Sequence, residues 1–387
     1  MANLRQNRAY LPHQISDPHT HPILLLQKLV NLTIEYEDFI KQIKNPTFSP
    51  NFIVVNNLPY SQISNELINL INKFDFPLVL KTSDYHTFVV NRKFVEFIFR
   101  KDTGDYVWKE KNFDVVDKFI VDYLKRHALE NYRVLSDFFM SFDINKTIDA
   151  FTTPYFYNFY KSVEAIGLRE NELEVYFLVD SKWFLDNPDV LMDKKCLGIK
   201  FFVDGTISSK TAWMGLNEGK CLLDMEIFRN VLDVITRKFN NRLVYLAFHA
   251  IGFEAFRFIA KEIVPSVIKK QSLPFIKIRI EHCNFIRRED LEFLVDLVGK
   301  YNKRGVFLVL NPEYNTFSLF DLYKYSDVLG ICYASDAPVY SIDLKDSIFK
   351  HFKNPSENIF SEESLKIVKR VFNFNEQLFN VIVREDM

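Results

Sequence analysis

The stretch RLVYLAFHAIGFEAFRFIAKEIVPSVIKKQSLPFIKIRIEHCN, residues 242–284, contains two apolar runs, RLVYLAFHAIG (242–252) and IKIRIEHCN (276–284). Between them lies EAFRFIAKEIVPSVIKK, whose apolar residues recur with helical spacing. Runs apolar on both alternating faces and joined by a helix describe parallel strands covered on both sides, as in a barrel or a doubly wound sheet. Each run carries a histidine near its end, His249 and His282.

Working outward, the same kind of run recurs at 171–180 (NELEVYFLVD), 197–205 (LGIKFFVDG), 305–313 (GVFLVLNPE) and 329–338 (LGICYASDAP). His249 and His282 are 33 residues apart, His282 and Asn311 are 29 apart, and Asn311 and Asp336 are 25 apart. Each step is about one βα unit of roughly 30 residues. That rhythm favours an α/β fold of the (β/α)8 TIM-like type, in which polar residues at strand C-terminal ends converge on one mouth. INKTIDAF (144–151) reads as another barrel strand, but more than a hundred residues separate it from His21. Residues 1–387 are therefore read as one barrel domain with an inserted subdomain after the first strand, at about 40–125, containing NFIVVNN and FPLVLKTSDYH. Such an insertion would cover the mouth.

Composition narrows the class of function. Lys plus Arg total 49 and Asp plus Glu 50, so the whole-protein field attracts neither phosphate backbones nor anionic lipid. No apolar run approaches the roughly 18 residues of a membrane span, and MANLRQNRAY has no apolar signal core. A cytoplasmic protein acting on a small molecule, without a nucleic-acid or membrane partner, is the expectation. Cys196, Cys221, Cys283 and Cys332 show no C-x-x-C spacing, which points to reduced, packed thiols rather than disulfides or a thiolate zinc site.

SDPHTHP (16–22) places His19 and His21 two apart, so an extended backbone presents both rings on one face, able to hold one ion. Alone, such a pair is as consistent with surface histidines. Together with His249, His282 and Asp336 at strand ends it makes a nitrogen and oxygen donor set suited to zinc or another divalent transition metal. Lys200 lies inside a doubly apolar strand, where an unpaired ammonium is costly. Asp204, on the same face by alternation, is one candidate partner for it; carbamylation by carbon dioxide, giving an anionic bridge between metals, is the other reading.

The ordered set DPHTH, FPLVLKTSDYHTFVVN, FRKDTGDYVWKE, INKTIDAF, GIKFFVDGTISSKTAWM, FHAIGFEA, RIEHCNFIRREDL, NPEYN and YASDAPV resembles the amidohydrolase superfamily over most of the chain. Within it, DGTISSKTA and the histidine of DYHTFVVN resemble the branch that includes N-substituted formamide deformylases. The resemblance implies that His19 and His21 bind one ion, that His249 and His282 bind a second, and that Lys200 bridges them as a carbamate, with a single-ion site the alternative. It also implies that Asp336 binds metal and acts as general base. His86 would reach over the mouth to the substrate or its oxyanion, unless it is a surface-loop histidine. Asp204 and Asn311 fall among residues that contact substrate or support the ligands, while Asp102 and Glu110 match an acidic turn without a catalytic role.

Two departures accompany the resemblance. Relatives carry a small β-sandwich built from segments flanking the barrel, yet 16 residues precede Asp17 and 51 follow Asp336. The sandwich is expected to be missing or vestigial, which would expose a barrel face and favour a homodimer. FHAIGFEA has Phe253 where the family commonly has an acid. The expected activity is hydrolysis of a C–N bond, amide or N-acyl, in a small molecule by metal-activated water; the alternative is a catalytically silent barrel used for binding or assembly.

Overall fold

The computed structural model describes residues 14–379 apart from 31, 44–53, 83–85, 110–112, 170–171, 270–274, 302–304, 312–316, 318 and 353–361. In chain order, β1 (Ile15–Thr20) starts the barrel. A second sheet follows, made of β2 (Thr33–Glu35), β3 (Val54–Leu58), β4 (Val79–Thr82), β5 (Thr87–Val90) and β6 (Val107–Lys109). The barrel then resumes with β7 (Ile144–Thr152), β8 (Glu174–Asp180), β9 (Cys196–Phe202), β10 (Val244–Ala250), β11 (Ile276–His282), β12 (Val306–Leu310) and β13 (Gly330–Tyr333). The eight barrel strands pair in parallel in the order β1, β7, β8, β9, β10, β11, β12, β13, with helices outside, giving the (β/α)8 fold.

Alternation within each strand divides two cores. In β10, Val244, Leu246 and Phe248 face the surrounding helices, while Tyr245 and Ala247 join Ile148, Leu178, Phe307, Val309 and Cys332 inside the barrel. The lower end of that interior is plugged by Phe374, Leu378 and Phe379, from the helix Glu362–Gln377 and the turn after it. Residues 380–387 lie outside the described residues.

The ring closes between β13 and β1 through a mixed seam. At the mouth, Asp336 N donates to His19 O at 2.9 Å and His21 N to Ala337 O at 2.7 Å. Below them Ser335 N donates to Asp17 Oδ1 at 3.1 Å. Lower still the Asn375 side chain stands in for a length of strand. It accepts from Tyr333 N at 3.1 Å and donates to Tyr333 O at 2.8 Å and to Ser16 O at 3.1 Å.

The second sheet begins at Thr33, in a three-residue strand too short to show periodicity. One of its faces (Val55, Leu58, Leu80, Val89) makes a small core with helices Tyr36–Gln42 and Asn65–Ile71. The other face (Val54, Val79, Phe88, Val90) joins the main core. Lys81 Nζ on β4 donates to Gln27 Oε1 at 2.8 Å, tying this sheet to the helix Pro22–Leu29 that follows β1. Among the described residues, the strands outside the barrel all belong to this sheet, and no helix is long and apolar enough to cross a membrane.

Candidate metal centre

Parallel strands bring their C-terminal ends to one mouth, and the polar residues singled out in the sequence meet there. His19 lies on β1, and His21 follows it as the residue that opens helix Pro22–Leu29. Lys200, His249 and His282 come from β9, β10 and β11, and Asp336 from the loop after β13. One nitrogen each from His19 and His21 and one oxygen of Asp336 lie within 4.8 Å of one another. Asp336 Oδ1 is 3.3 Å from His19 Nε2 and 3.4 Å from His21 Nε2, and its Oδ2 is 3.7 Å from His282 Nδ1. The imidazoles continue as a chain, His19 to His282 at 4.8 Å between ring centres and His282 to His249 at 4.5 Å.

Strand alternation does not deliver all of these side chains. In β11 it turns Arg279 and Glu281 into the barrel, so His282 should point out. His282 and Cys283 instead adopt left-handed backbone, with φ of 70° and 52°, which swings the His282 ring into the cavity while Cys283 packs in the main core. Asp336 is left-handed too, at φ 55°. Such conformations cost non-glycine residues about 1–3 kcal/mol each and concentrate at functional sites.

The site's electrostatics suit a cation. His19 Nε2, Lys200 Nζ and Asp336 Oδ1 are buried and have no hydrogen-bond partner among the described residues; the His19 and Asp336 atoms are close but poorly aligned for a bond. Unsatisfied buried polar atoms are rare, and three converging ones fit a coordinated ion. Burial raises the Asp336 carboxyl, but the imidazoles of His19 and His21 outweigh it and hold Asp336 well below the usual range, so it is ionised. Burial lowers His249 and His21, and burial with the neighbouring His249 lowers His282, which keeps these rings neutral as ligation requires. Lys200 is lowered by burial to about 8, against the opposing pull of Glu281. Its amine is thus neutral more readily than that of a surface lysine, the state in which nitrogen can add to carbon dioxide.

Further polar residues lie behind these side chains. Asp204 does not pair with Lys200. Its Oδ1 lies 3.3 Å from His249 Nδ1 and accepts from Ile251 N at 3.0 Å, and its Oδ2 accepts from Gly252 N at 2.7 Å and Trp213 N at 2.9 Å. Asn311 Nδ2 donates to Ser335 O at 3.2 Å, beside Asp336. The remainder of NPEYN lies outside the described residues, as does Glu110. Asp102 is on the surface, bonded to Tyr106 Oη at 2.8 Å and Arg92 Nε at 3.1 Å.

Sequence reasoning passed over a buried pair. Glu281 Oε2 is 2.6 Å from His19 Nδ1, and Glu281 Oε1 accepts from Arg279 Nε at 2.7 Å. Burial opposes ionisation of Glu281, but Arg279 and then His19 hold its carboxyl well below the usual range. The signal was available: two charges spaced i, i+2 within IKIRIEH share one face of a strand buried on both sides, the same anomaly that marks Lys200.

A cavity of about 660 Å³ opens above the candidate ligands. The barrel lines it with His19, His21, Lys200, His249, His282 and Asp336, and the insertion adds Lys81, His86, Phe88 and Asp117. The His86 ring lies 5.5 Å from that of His249, so the insertion does reach the mouth.

No protein-family model matches the sequence, and no curated protein resembles it at a significant level. Solved structures do. An uncharacterized metal-dependent hydrolase from Pyrococcus horikoshii OT3 is 15% identical with a TM-score of 0.63, over 96% of this chain and 85% of that one. An uncharacterized metal-dependent hydrolase from Pyrococcus furiosus is also 15% identical, with a TM-score of 0.62, over 96% of this chain and 86% of that one. At that identity the likeness establishes the fold: this chain is a (β/α)8 barrel similar to theirs through nearly its whole length.

Proposed function

We propose that this protein is a metal-dependent hydrolase of the amidohydrolase type, cleaving the C–N bond of an amide or N-acyl group in a small molecule. The observation that carries the reading is the convergence of His19 Nε2, Lys200 Nζ and Asp336 Oδ1, all buried and without hydrogen-bond partners among the described residues, in the mouth where His21, His249 and His282 also meet. The metal-dependent hydrolases with similar folds support it.

His19, His21 and Asp336 would hold one divalent ion, and His249 and His282 a second, with Lys200 bridging as its carbamate. Four imidazoles with carboxylate oxygen make zinc the leading metal. When bound, such an ion supplies a low-pKa water at neutral pH and polarises the substrate carbonyl. Asp336, ionised and adjacent, takes a proton from the attacking water as the new C–O bond forms, then delivers it to the departing nitrogen as the C–N bond breaks. Glu281 fixes the tautomer of His19, leaving Nε2 as its donor atom. Asp204 does the same for His249 through Nδ1. His86, whose ring lies 5.5 Å from that of His249, would contact the substrate or the oxygen on which charge develops.

The test is metal analysis of protein purified without added metal, followed by turnover of N-formyl, N-acetyl and cyclic amides with zinc or manganese and bicarbonate. Bound transition metal and turnover abolished by Asp336→Asn are expected. Near-absence of metal, with no turnover after reconstitution, would overturn the reading in favour of a binding or assembly role.

A further inference from the structure

Away from the candidate ligands, the cavity wall carries two buried charges of opposite sign, Lys81 on β4 and Asp117 on the helix Phe113–Leu124. Burial lowers the Lys81 ammonium to about 7, against the opposing pull of Asp117. Lys81 Nζ also donates to Gln27 Oε1 at 2.8 Å, on the helix Pro22–Leu29.

Behind this pair, hydrogen-bonding capacity is left over. Gln27 Nε2 is buried and has no partner among the described residues, although the oxygen of the same carboxamide is held by Lys81. Asn56 on β3 is 1% exposed, and neither its Nδ2 nor its Oδ1 has a partner among the described residues. Strand register brings Asn56 to Lys81. Val54 and Val55 pair with Val79 and Leu80, and an irregularity then sets Asn56 and Asn57 together against Lys81 before Leu58 pairs with Thr82. Asn57 is exposed, whereas Asn56 is buried and shares by alternation the face of Val54, as Lys81 shares that of Val79. Native proteins leave few buried polar atoms unpaired, so three of them on two carboxamides behind a cavity wall mark groups that a ligand satisfies.

The wall thus offers donors, acceptors and opposite charges that offset each other. A hydrocarbon placed there would leave these groups unpaired, and a charged group would meet one neighbour of its own sign. A neutral CO–NH2 group fits both sides at once, its oxygen accepting from Lys81 and its nitrogen donating to Asp117. We propose that Lys81 and Asp117, backed by Gln27 and Asn56, form a second recognition subsite that takes a terminal CO–NH2 group of the substrate, the end of a carboxamide or ureido chain, away from the bond to be cleaved. The identity of that bond rests on the hydrolase reading above; the subsite stands on the wall built by the insertion.

Ions at the ligand set would add positive charge to the cavity, so the probes are all neutral and differ only in hydrogen bonding. Each carries a methanesulfonamide in place of the scissile amide, an alkyl spacer of graded length, and a terminal carboxamide, a methyl ketone that only accepts, or a plain alkyl end. Calorimetric titration into metal-loaded wild-type protein is expected to show the carboxamide binding at least about tenfold more tightly than the ketone at the best spacer, the scale of one hydrogen bond to a charged group. Replacing the pair jointly, Lys81→Met with Asp117→Leu, should abolish that advantage while metal content and affinity for the alkyl probe stay unchanged; such joint replacement of a buried ion pair is commonly tolerated. If the double variant does not fold, Asn56→Leu makes the test, since it breaks no hydrogen bond among the described residues: it should narrow the advantage at least about threefold without lowering the unfolding midpoint. Equal affinity for carboxamide and ketone at every spacer, or an advantage unchanged in the variant, overturns the proposal. The expected order of binding in a metal-loaded protein that hydrolyses none of the matching acetamides would sink the hydrolase reading and leave the subsite standing. Hydrolysis of acetamides with no carboxamide advantage would do the reverse.

Discussion

Glu281 Oε2 lies 2.6 Å from Nδ1 of His19, while the other nitrogen of that ring, Nε2, is 3.3 Å from Asp336. A carboxylate, an imidazole and the proposed ion position thus follow one another, with Arg279 behind the carboxylate. Removing the charge by Glu281→Gln should weaken metal binding by about 10–100-fold, the usual effect of losing the group that orients a ligating histidine. It also leaves Arg279 buried without its counter-ion, which should cost about 3–5 kcal/mol. Competition titration with a zinc chelator and urea unfolding measure the two effects separately; unchanged affinity would remove Glu281 from its assigned part.

Asn375 bridges the seam between β13 and β1, where Tyr333 N depends on its side chain. Asn375→Ala should destabilise the protein by about 1–3 kcal/mol, the cost of leaving buried backbone groups unsatisfied. Hydrogen exchange at Tyr333 should quicken more than at the centre of β10. A loss of stability without faster exchange there would locate the effect elsewhere.

Lys200→Met fills the same volume without an amine. If Lys200 carries the carbamate, wild-type turnover rises with bicarbonate during metal loading and the variant shows no such response, with turnover lower by about 100-fold or more, the scale of a lost electrostatic group at a reacting centre. Equal bicarbonate dependence in the two proteins would exclude the carbamate.

Asp149, buried beside Tyr160 whose hydroxyl donates to it at 2.9 Å, is raised by burial to about 7 from an ordinary 3.8. A carboxyl that binds its proton more tightly in the folded state stabilises fully below the unfolded pKa, and loses that contribution as pH rises through the folded one. Stability should therefore fall between about pH 4 and 7, with a limiting slope on the order of 1.4 kcal/mol per pH unit from this group. Asp149→Asn should flatten that interval. Urea unfolding at pH 5 and pH 7 decides it, and an equal slope in both proteins would assign the dependence to other groups.

Much of the site was legible because a strand buried on both faces makes any polar residue conspicuous. Lys200, His249 and His282 stood out in this way, and Arg279 and Glu281 could have. His86 could be recognised as a candidate, but its approach to His249 depends on how the inserted sheet docks on the helix after β1.

The apolar runs determined parallel strands joined by helices, and their spacing favoured a barrel over a doubly wound sheet, since local periodicity is a property of neighbouring residues and survives without knowledge of the rest of the chain. Closure of the ring was decided only in three dimensions. His19 and Glu281 are 262 residues apart, and Asn375 meets Ser16 across 359. The left-handed turn at His282 reverses what alternation assigns. Periodicity says which residues share a face; which faces meet is set by strand register, the seam and the backbone turns at the mouth, and those arise from packing between distant segments.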